Sequence, residues 1–467
     1  MPTLELALIC QTLLWLLVVG LFVASNQASL FHPLTIYLGF HGVVFVLRPL
    51  LIHYLHFDTI WNYMLIAPSE EDLVKTLAVA SVALVTFGLS SFWCGKTRLH
   101  FSTAEPVPFT GAQRQALVIT TLLLFPLIAY SIRSLMGGGL QGEHRGGTFV
   151  LTGASGYTLE AQYMAGPLIC AWMAVTRFSH KALLSVIIYV GYRSYTGWNR
   201  WTIVLFIFAL CAVYAWQRRI RWLPLWSVVI AVPLFSLFLT LGANRDYFRM
   251  RLAGEVVERM EEPRSRQEEI KLKYDTQEFA NFDYLCYVIK MVPARTGTYT
   301  YGSQYLQLFT EPVPRQLWAD KPAGAPVSFF NLNNYGNFLG LTVSLPGDGW
   351  MSGGWLGLVV TMSVVGGILG FAHRWFWLKV QNNMAALAYL IGMAMLPQWY
   401  RDGGISISKF LFWNLIPLLL WVGVTWLCGP RLIPGQSWIL APNTSVRLRQ
   451  RDLRDGGSQL PAPPRAS

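Results

Sequence analysis

The sequence is short of charge. Asp, Glu, Lys and Arg make up 13% of its 467 residues against 54% hydrophobic residues, about half the charged share of an ordinary soluble chain. A row of water-soluble domains is excluded on that ground. Cysteine is scarce as well. Cys10, Cys94, Cys170, Cys211 and Cys428 fall in or at the ends of apolar runs and Cys286 stands alone elsewhere, so neither a disulfide framework nor a cysteine metal quartet is available. Several motifs are missing: a GxxxxGKS/T phosphate loop, an HExxH zinc motif, a GxSxG nucleophile elbow and an Asp-x-Asp pair. Their absence argues against a cytoplasmic nucleotide-dependent enzyme.

What fills the chain instead is apolar runs of bilayer-spanning length. They lie at roughly 5–25, 34–55, 73–94, 116–136, 158–176, 182–197, 201–216, 222–242, 354–376, 384–400 and 407–428. The expected fold is therefore an all-α polytopic membrane protein of about 11 transmembrane helices. It divides into eight helices over 1–242, a long loop carrying short helices over 243–353, three helices over 354–428 and a basic tail over 429–467. The N-terminal run has no basic n-region and no small-residue cleavage site, so it is expected to stay as the first span.

The formal net charge is +12, yet the basic residues are spread through short loops rather than forming a face for nucleic acid, and no nucleic-acid partner is expected. Lys96, Arg98 and Arg114, then Arg177 and Lys181, then Arg218, Arg219 and Arg221, then Arg374 and Lys379 occupy alternate loops. The positive-inside tendency puts these on the cytoplasmic side, with the N-terminus and the long loop outside and the tail inside. That tail is rich in Arg, Pro and Gly and reads as disordered, a topogenic or headgroup anchor to membrane lipids.

The long loop has two parts. From Arg245 to Lys273 it is dense in both charge signs and reads as solvated helix broken at Pro263. From Phe279 to Val292 apolar residues recur at helical spacing, which predicts an amphipathic helix lying on the membrane or on the bundle. Residues 243–353 carry 12 Lys and Arg against 13 Asp and Glu, so an anion site there must come from local clustering.

Cations on the outer side run against the topogenic bias, and holding an anionic group at the outer leaflet is a sufficient reason for them. Arg193, Arg200, Arg245, Arg315, Lys321 and Arg401 are such residues, with headgroup-bound or snorkelling arginine as the plainer alternative. Asp348, in LPGDGWMSGGWLG, is placed to act as a general base on a sugar hydroxyl or to bond turn backbone. Asp246, Asp320 and Asp402 adjoin basic residues and read as their ion-pair partners. His144 beside Arg145 reads as a solvated loop residue or a proton carrier.

The stretches GSQYL at Gly302–Leu306, PRQLWADKP at Pro314–Pro322 and PGDGWMSGGWLGLVV resemble the Wzy-type O-antigen and exopolysaccharide polymerases, the oligosaccharide repeat unit polymerases. The likeness covers roughly residues 190–376, with Asp348 standing where that family has Glu and Arg193 or Arg200 matching an outer-turn arginine. The resemblance implies a glycosyltransferase at the periplasmic face of the bacterial inner membrane. It would move a growing glycan from undecaprenyl pyrophosphate onto an incoming lipid-linked repeat unit, with a chain-length regulator as a further partner. Arginines can stabilise the leaving pyrophosphate, so neither a cofactor nor a metal is expected. In that mechanism Arg193, Arg200, Arg315, Arg401 and Lys321 hold pyrophosphate, and Tyr305, Trp318 and Trp350 stack on sugars. The alternatives are an O-antigen ligase, which leans on a loop histidine that 243–353 lacks, and a lipid-linked sugar flippase or transporter. The latter predicts charges along the spans, where Arg48, Lys75, Arg133 and Lys409 are few and lie mostly near span ends. A purely structural partner in an envelope complex has no positive sign.

Overall fold

A computed structural model describes residues 3–64, 67–97, 107–136, 142–145, 148–151, 156–196, 201–227, 229, 271, 275, 280–310, 318, 330, 332 and 342–428. The chain divides into two compact units, Met1–Thr425 and Trp426–Ser467. The first is a helical bundle; of the second only Trp426–Cys428, the end of a helix, are described.

Among the described residues seven helices are long and apolar enough to cross a bilayer: Leu4–Ala24, Pro33–Leu55, Glu70–Gly95, Gly111–Leu135, Trp201–Arg218, Ser344–Lys379 and Phe410–Cys428. The multi-pass helical plan therefore stands, with fewer unbroken spans among the described residues than the eleven expected. The difference has local causes. The run at 158–176 is divided into a short helix Gly156–Glu160, a 3-10 turn Ala161–Met164 and an 11-residue helix Ala165–Val175. The run at 384–400 is broken into Asn383–Ala394 and Leu396–Asp402, the second with proline in its first turn. The run at 182–197 is a 17-residue helix, and that at 222–242 lies largely outside the described residues.

In chain order the helices are α1 (Leu4–Ala24), α2 (Pro33–Leu55), α3 (Glu70–Gly95), α4 (Gly111–Met136), α5 (Ala165–Val175), α6 (His180–Thr196), α7 (Trp201–Arg218), α8 (Asn281–Met291), α9 (Ser344–Lys379), α10 (Asn383–Ala394), α11 (Leu396–Asp402) and α12 (Gly404–Cys428). One antiparallel hairpin interrupts them, Gly142–Arg145 paired with Thr148–Leu151 in the register Gly142 to Leu151. It puts part of the Gly-rich segment, His144 included, into a strand rather than a loop.

The centre of the bundle is the pair α3 and α9, which run parallel. Lys75 lies over Trp350 near one end and Gly95 abuts Gly370 near the other. The approach is set by small residues: a Cβ on Gly370 would stand 2.6 Å from the Ser91 carbonyl and 2.8 Å from the Gly95 nitrogen. Small residues four apart on both helices allow this backbone contact, which lipid-exposed helices use because burying leucine against leucine gains little over lipid. α3 starts on a capping box, Ser69 with Asp72, which satisfies the first orphan amides.

α9 is two helices. Gly353 and Gly354 leave helical geometry, and Gly354 at φ 60° faces Tyr299, whose hydroxyl would lie 2.9 Å from any Cβ there. The apolar span starts after this break. The nine residues before it, 344–352, form a short helix that carries Asp348 and is buried throughout its first turns. α8, expected on a surface, is instead enclosed by α3 and α9, with ten of its eleven residues buried. Its polar residues Asn281 and Asp283 are not a wet face, because each has a partner inside the bundle.

Loop contacts sort the helix ends into two sets. One end joins Arg221 to Ala28, His373 to Gly95 and Asn383 to Val107, and it collects Lys96, Arg114, Arg177, Arg218, Arg219, Arg221 and Arg374, as the alternation of basic loops requires. The other joins Glu70 to Leu4, Lys271 to Asp58, Lys290 to Asp72 and Asp283 to Arg48. Every described carboxylate whose side chain is placed sits in that acidic half.

Candidate functional site

The acidic half brings together residues far apart in sequence. The short helix at the start of α9 presents Asp348, whose Oδ2 accepts the Gly404 amide at 2.9 Å. Gly403, at φ 85°, leaves room for that carboxylate, which a Cβ would meet at 3.3 Å. Asp348 thus caps the first turn of α12 and fixes the turn at Gly403, just after Arg401 and Asp402 at the end of α11. From the other side, the Asn281 amide donates to the Arg401 carbonyl at 3.0 Å.

The turn Ser303–Leu306 closes over Asp348. Gln304, itself fully buried, donates to Ser352 Oγ at 2.6 Å and to the Asp348 carbonyl at 3.3 Å, and Ser352 Oγ donates to the same carbonyl at 2.9 Å. The turn is tied down by Thr300, whose amide and hydroxyl both reach the Met351 carbonyl. Tyr305 lies against Gly404. Burial, and then the nearby Asp348, push its hydroxyl above the usual tyrosine range. It stays a neutral phenol.

The first two residues of α7 gather two of the expected arginines. The Arg401 guanidinium lies 4.8 Å from the centre of the Trp201 ring. Arg193, 1% exposed, donates to Thr202 Oγ1 through Nε at 3.0 Å and Nη2 at 2.7 Å and to Gln162 Oε1 through Nη1 at 2.5 Å. It also lies over Tyr163. Arg401 is held at 3.7 Å from Asp402, too far for a hydrogen bond. Burial pushes the Asp402 carboxyl above its usual range, with Arg401 and Gln398 working against it. Around this turn Trp201 Nε1, Gln304 Oε1, Tyr305 OH, Gln398 Oε1, Trp399 Nε1, Arg401 Nε and Asp402 Oδ1 are buried and without a hydrogen-bond partner among the described residues. Such a concentration of spare donors and acceptors is unusual in a folded interior.

The sequence-predicted residues fare differently. Asp348, Arg193, Arg401 and Tyr305 converge on this half. Asp348 is 0% exposed, with Oδ2 accepting the Gly404 amide and Gln304 Nε2 at 3.5 Å from Oδ1. Trp350, expected to stack on sugars, is buried: its Nε1 donates to the Val292 carbonyl at 2.9 Å, and Lys75 and Trp355 lie against its ring. Trp318 is 40% exposed and touches none of this group in the contacts described. Arg200, Arg245, Arg315 and Lys321 lie outside the described residues, as do Asp246 and Asp320. Cys286 is buried in α8, and burial pushes its thiol up to about 12, which removes it as a nucleophile.

Sequence reasoning missed a buried ion cluster. Arg48 Nε reaches Asp283 Oδ2 at 2.9 Å and Nη2 reaches Asp275 at 2.8 Å, while Trp61 donates to Asp283 at 2.8 Å. The segment Gly42–Leu47 before Arg48 is wound as a π-helix, which adds a residue to the turn and re-aims the side chains after it. A lone arginine inside a span was the available signal. Comparison with known proteins adds no relative: no family model, no curated protein and no solved structure matches the chain.

Proposed function

We propose that the chain is a lipid-linked oligosaccharide repeat unit polymerase of the Wzy type, working at the outer face of the bacterial inner membrane on undecaprenyl-pyrophosphate-linked glycans. The observation that carries the reading is a contact between two stretches that bear the resemblance. Gln304 of GSQYL bridges Ser352 and the Asp348 carbonyl of PGDGWMSGG, and Asp348 in turn holds the turn that presents Arg401.

Glycosyl transfer from a lipid pyrophosphate needs charge stabilisation at the departing oxygens and an ordered acceptor. Arg401, with Nε to spare beside the Trp399 and Trp201 indole donors, supplies the first. Arg193, sequestered by Gln162 and Thr202, orders the start of α7 beneath Trp201 and acts through it. Asp348 is a positioning residue in this scheme, fixing Gly403 and Gly404 rather than taking the acceptor proton. The basic loops at the opposite end support placing the acidic half outside.

The test is complementation of a gene deletion in the host, with glycans resolved on a gel. Wild type restores a ladder of chain lengths, whereas Arg401→Ala, expressed at wild-type level, leaves single repeat units. A normal ladder from Arg401→Ala sinks the site, and full-length polymer that stays on its lipid carrier in the deletion strain reassigns the chain as a ligase. Asp348→Asn, which keeps an oxygen for the Gly404 amide, retains the ladder. Loss of it at normal expression restores Asp348 as the base.

A further inference from the structure

The basic end carries a site that the polymerase reading does not use. The start of α4 and the end of α5 lie side by side and enclose an open cavity of about 520 Å³, lined by Arg114, Gln115, Val118, Trp172, Thr176 and Arg177 among others. Its size falls within the range of small-molecule sites.

Both arginines are held by built features. Thr110 and Gln113 form a reciprocal cap, with Thr110 N to Gln113 Oε1 at 2.9 Å and Gln113 N to Thr110 Oγ1 at 3.2 Å. That cap fixes the first turn of α4, on which Arg114 sits. Arg177 and Phe178 are consecutive non-glycine residues in the left-handed region, at φ 53° and 59°, a conformation that costs free energy unless the surroundings impose it. Phe178 N to the Met173 carbonyl at 2.9 Å and Phe178 against Tyr214 impose it here. The result turns Arg177 to the cavity opposite Arg114. The Trp172 ring is pinned in the wall by its Nε1 bond to Thr121 at 3.0 Å.

The cavity opens onto an apolar track. Val118, Ile119, Leu122, Leu123 and Phe125 of α4 are 44%, 38%, 67%, 59% and 63% exposed, a face that lipid tails cover in a spanning helix. Two arginines at one end of such a track, with tryptophan at headgroup level, match the chemistry of a phosphodiester that carries acyl chains. We propose that this cavity is a binding site for an anionic phospholipid, with Arg114 and Arg177 on the headgroup phosphate and the chains along α4.

The experiment uses the full-length protein in detergent, titrated with phosphatidylglycerol or with phosphatidylcholine of the same chains, and bound lipids are counted by native mass spectrometry. Wild type should prefer phosphatidylglycerol, and Arg114→Gln/Arg177→Gln should weaken that lipid by about 30-fold, roughly fivefold per arginine. Arg114→Lys/Arg177→Lys should keep most of the preference. Equal retention by wild type and the glutamine double variant, or no preference in wild type, overturns the proposal. Competition by soluble glycerophosphoglycerol at the lipid's own concentration also overturns it, making the ligand a free phosphodiester. If the double variant does not purify as a single species, Arg114→Gln alone, on an exposed side chain, reads the fivefold step.

Discussion

Arg48 stands against two buried carboxylates, so the cluster is asymmetric and its parts should not cost the same to remove. The Arg48 and Asp283 side chains are 2% and 0% exposed, as are those of Arg48 and Asp275. At about 3 Å and an effective dielectric of 20 one such contact is worth roughly 5 kcal/mol gross, most of it offset by desolvation. In Asp283→Asn the arginine keeps Asp275, Trp61 keeps an acceptor and the loss is about 1–2 kcal/mol. In Arg48→Met both carboxylates are left without their counter-charge, a loss of about 3–5 kcal/mol. For a chain of this size that lowers the unfolding midpoint by about 3–5 °C. Arg48→Met/Asp283→Leu should recover part of it, since it removes one of the two uncompensated carboxylates and leaves only Asp275 without its counter-charge.

The pH dependence of the variant has its origin in the same cluster. Burial pushes the Asp283 carboxyl above its usual range and Arg48 works against that push. Without Arg48 the folded state holds a proton that the unfolded chain releases near pH 3.9. A raised folded-state pKa gives stability that is present below the unfolded value and lost as pH rises through the folded one, so Arg48→Met should be relatively rescued by acid. The assay is size-exclusion of heated, detergent-solubilised protein, read by fluorescence at two pH values. A midpoint for Arg48→Met within about 2 °C of wild type, or one no lower than that of Asp283→Asn, refutes the account.

Other substitutions separate packing from site. Gly370→Leu should prevent assembly, because backbone atoms of α3 occupy the space of its side chain, whereas Gly367→Ala, whose nearest neighbour is Cys94 Sγ at 3.7 Å, should express normally. Gly403→Ala, at φ 85° and against Asp348, should destabilise by about 1–3 kcal/mol, measurable as a lower midpoint. Lys290→Gln breaks a partly exposed pair with Asp72, 21% exposed on both sides, and should cost less than about 1 kcal/mol, a midpoint shift of about 1 °C or less. A large shift there would mean that exposed pairs in this half act as a network.

The membrane class, the long spans and the sorting of basic loops to one end were legible in the sequence, since run length and loop charge are local quantities that the bilayer reads directly. The break before the ninth span was half visible: two adjacent glycines marked it, but only Tyr299 lying on Gly354 shows why it must be there. Other features were decided by tertiary structure alone. The periodicity of Phe279–Val292 is the same whether its apolar face meets lipid, the bundle surface or a closed interior, and the structure chose the interior. Arg48 finds its partner 235 residues away, and Asp348 turned from an open carboxylate into a cap because Gly403 and Gly404 arrive from another helix. A sequence states which groups need partners; the packing of small residues between α3 and α9, which sets how near the other helices come, decides which partners they get.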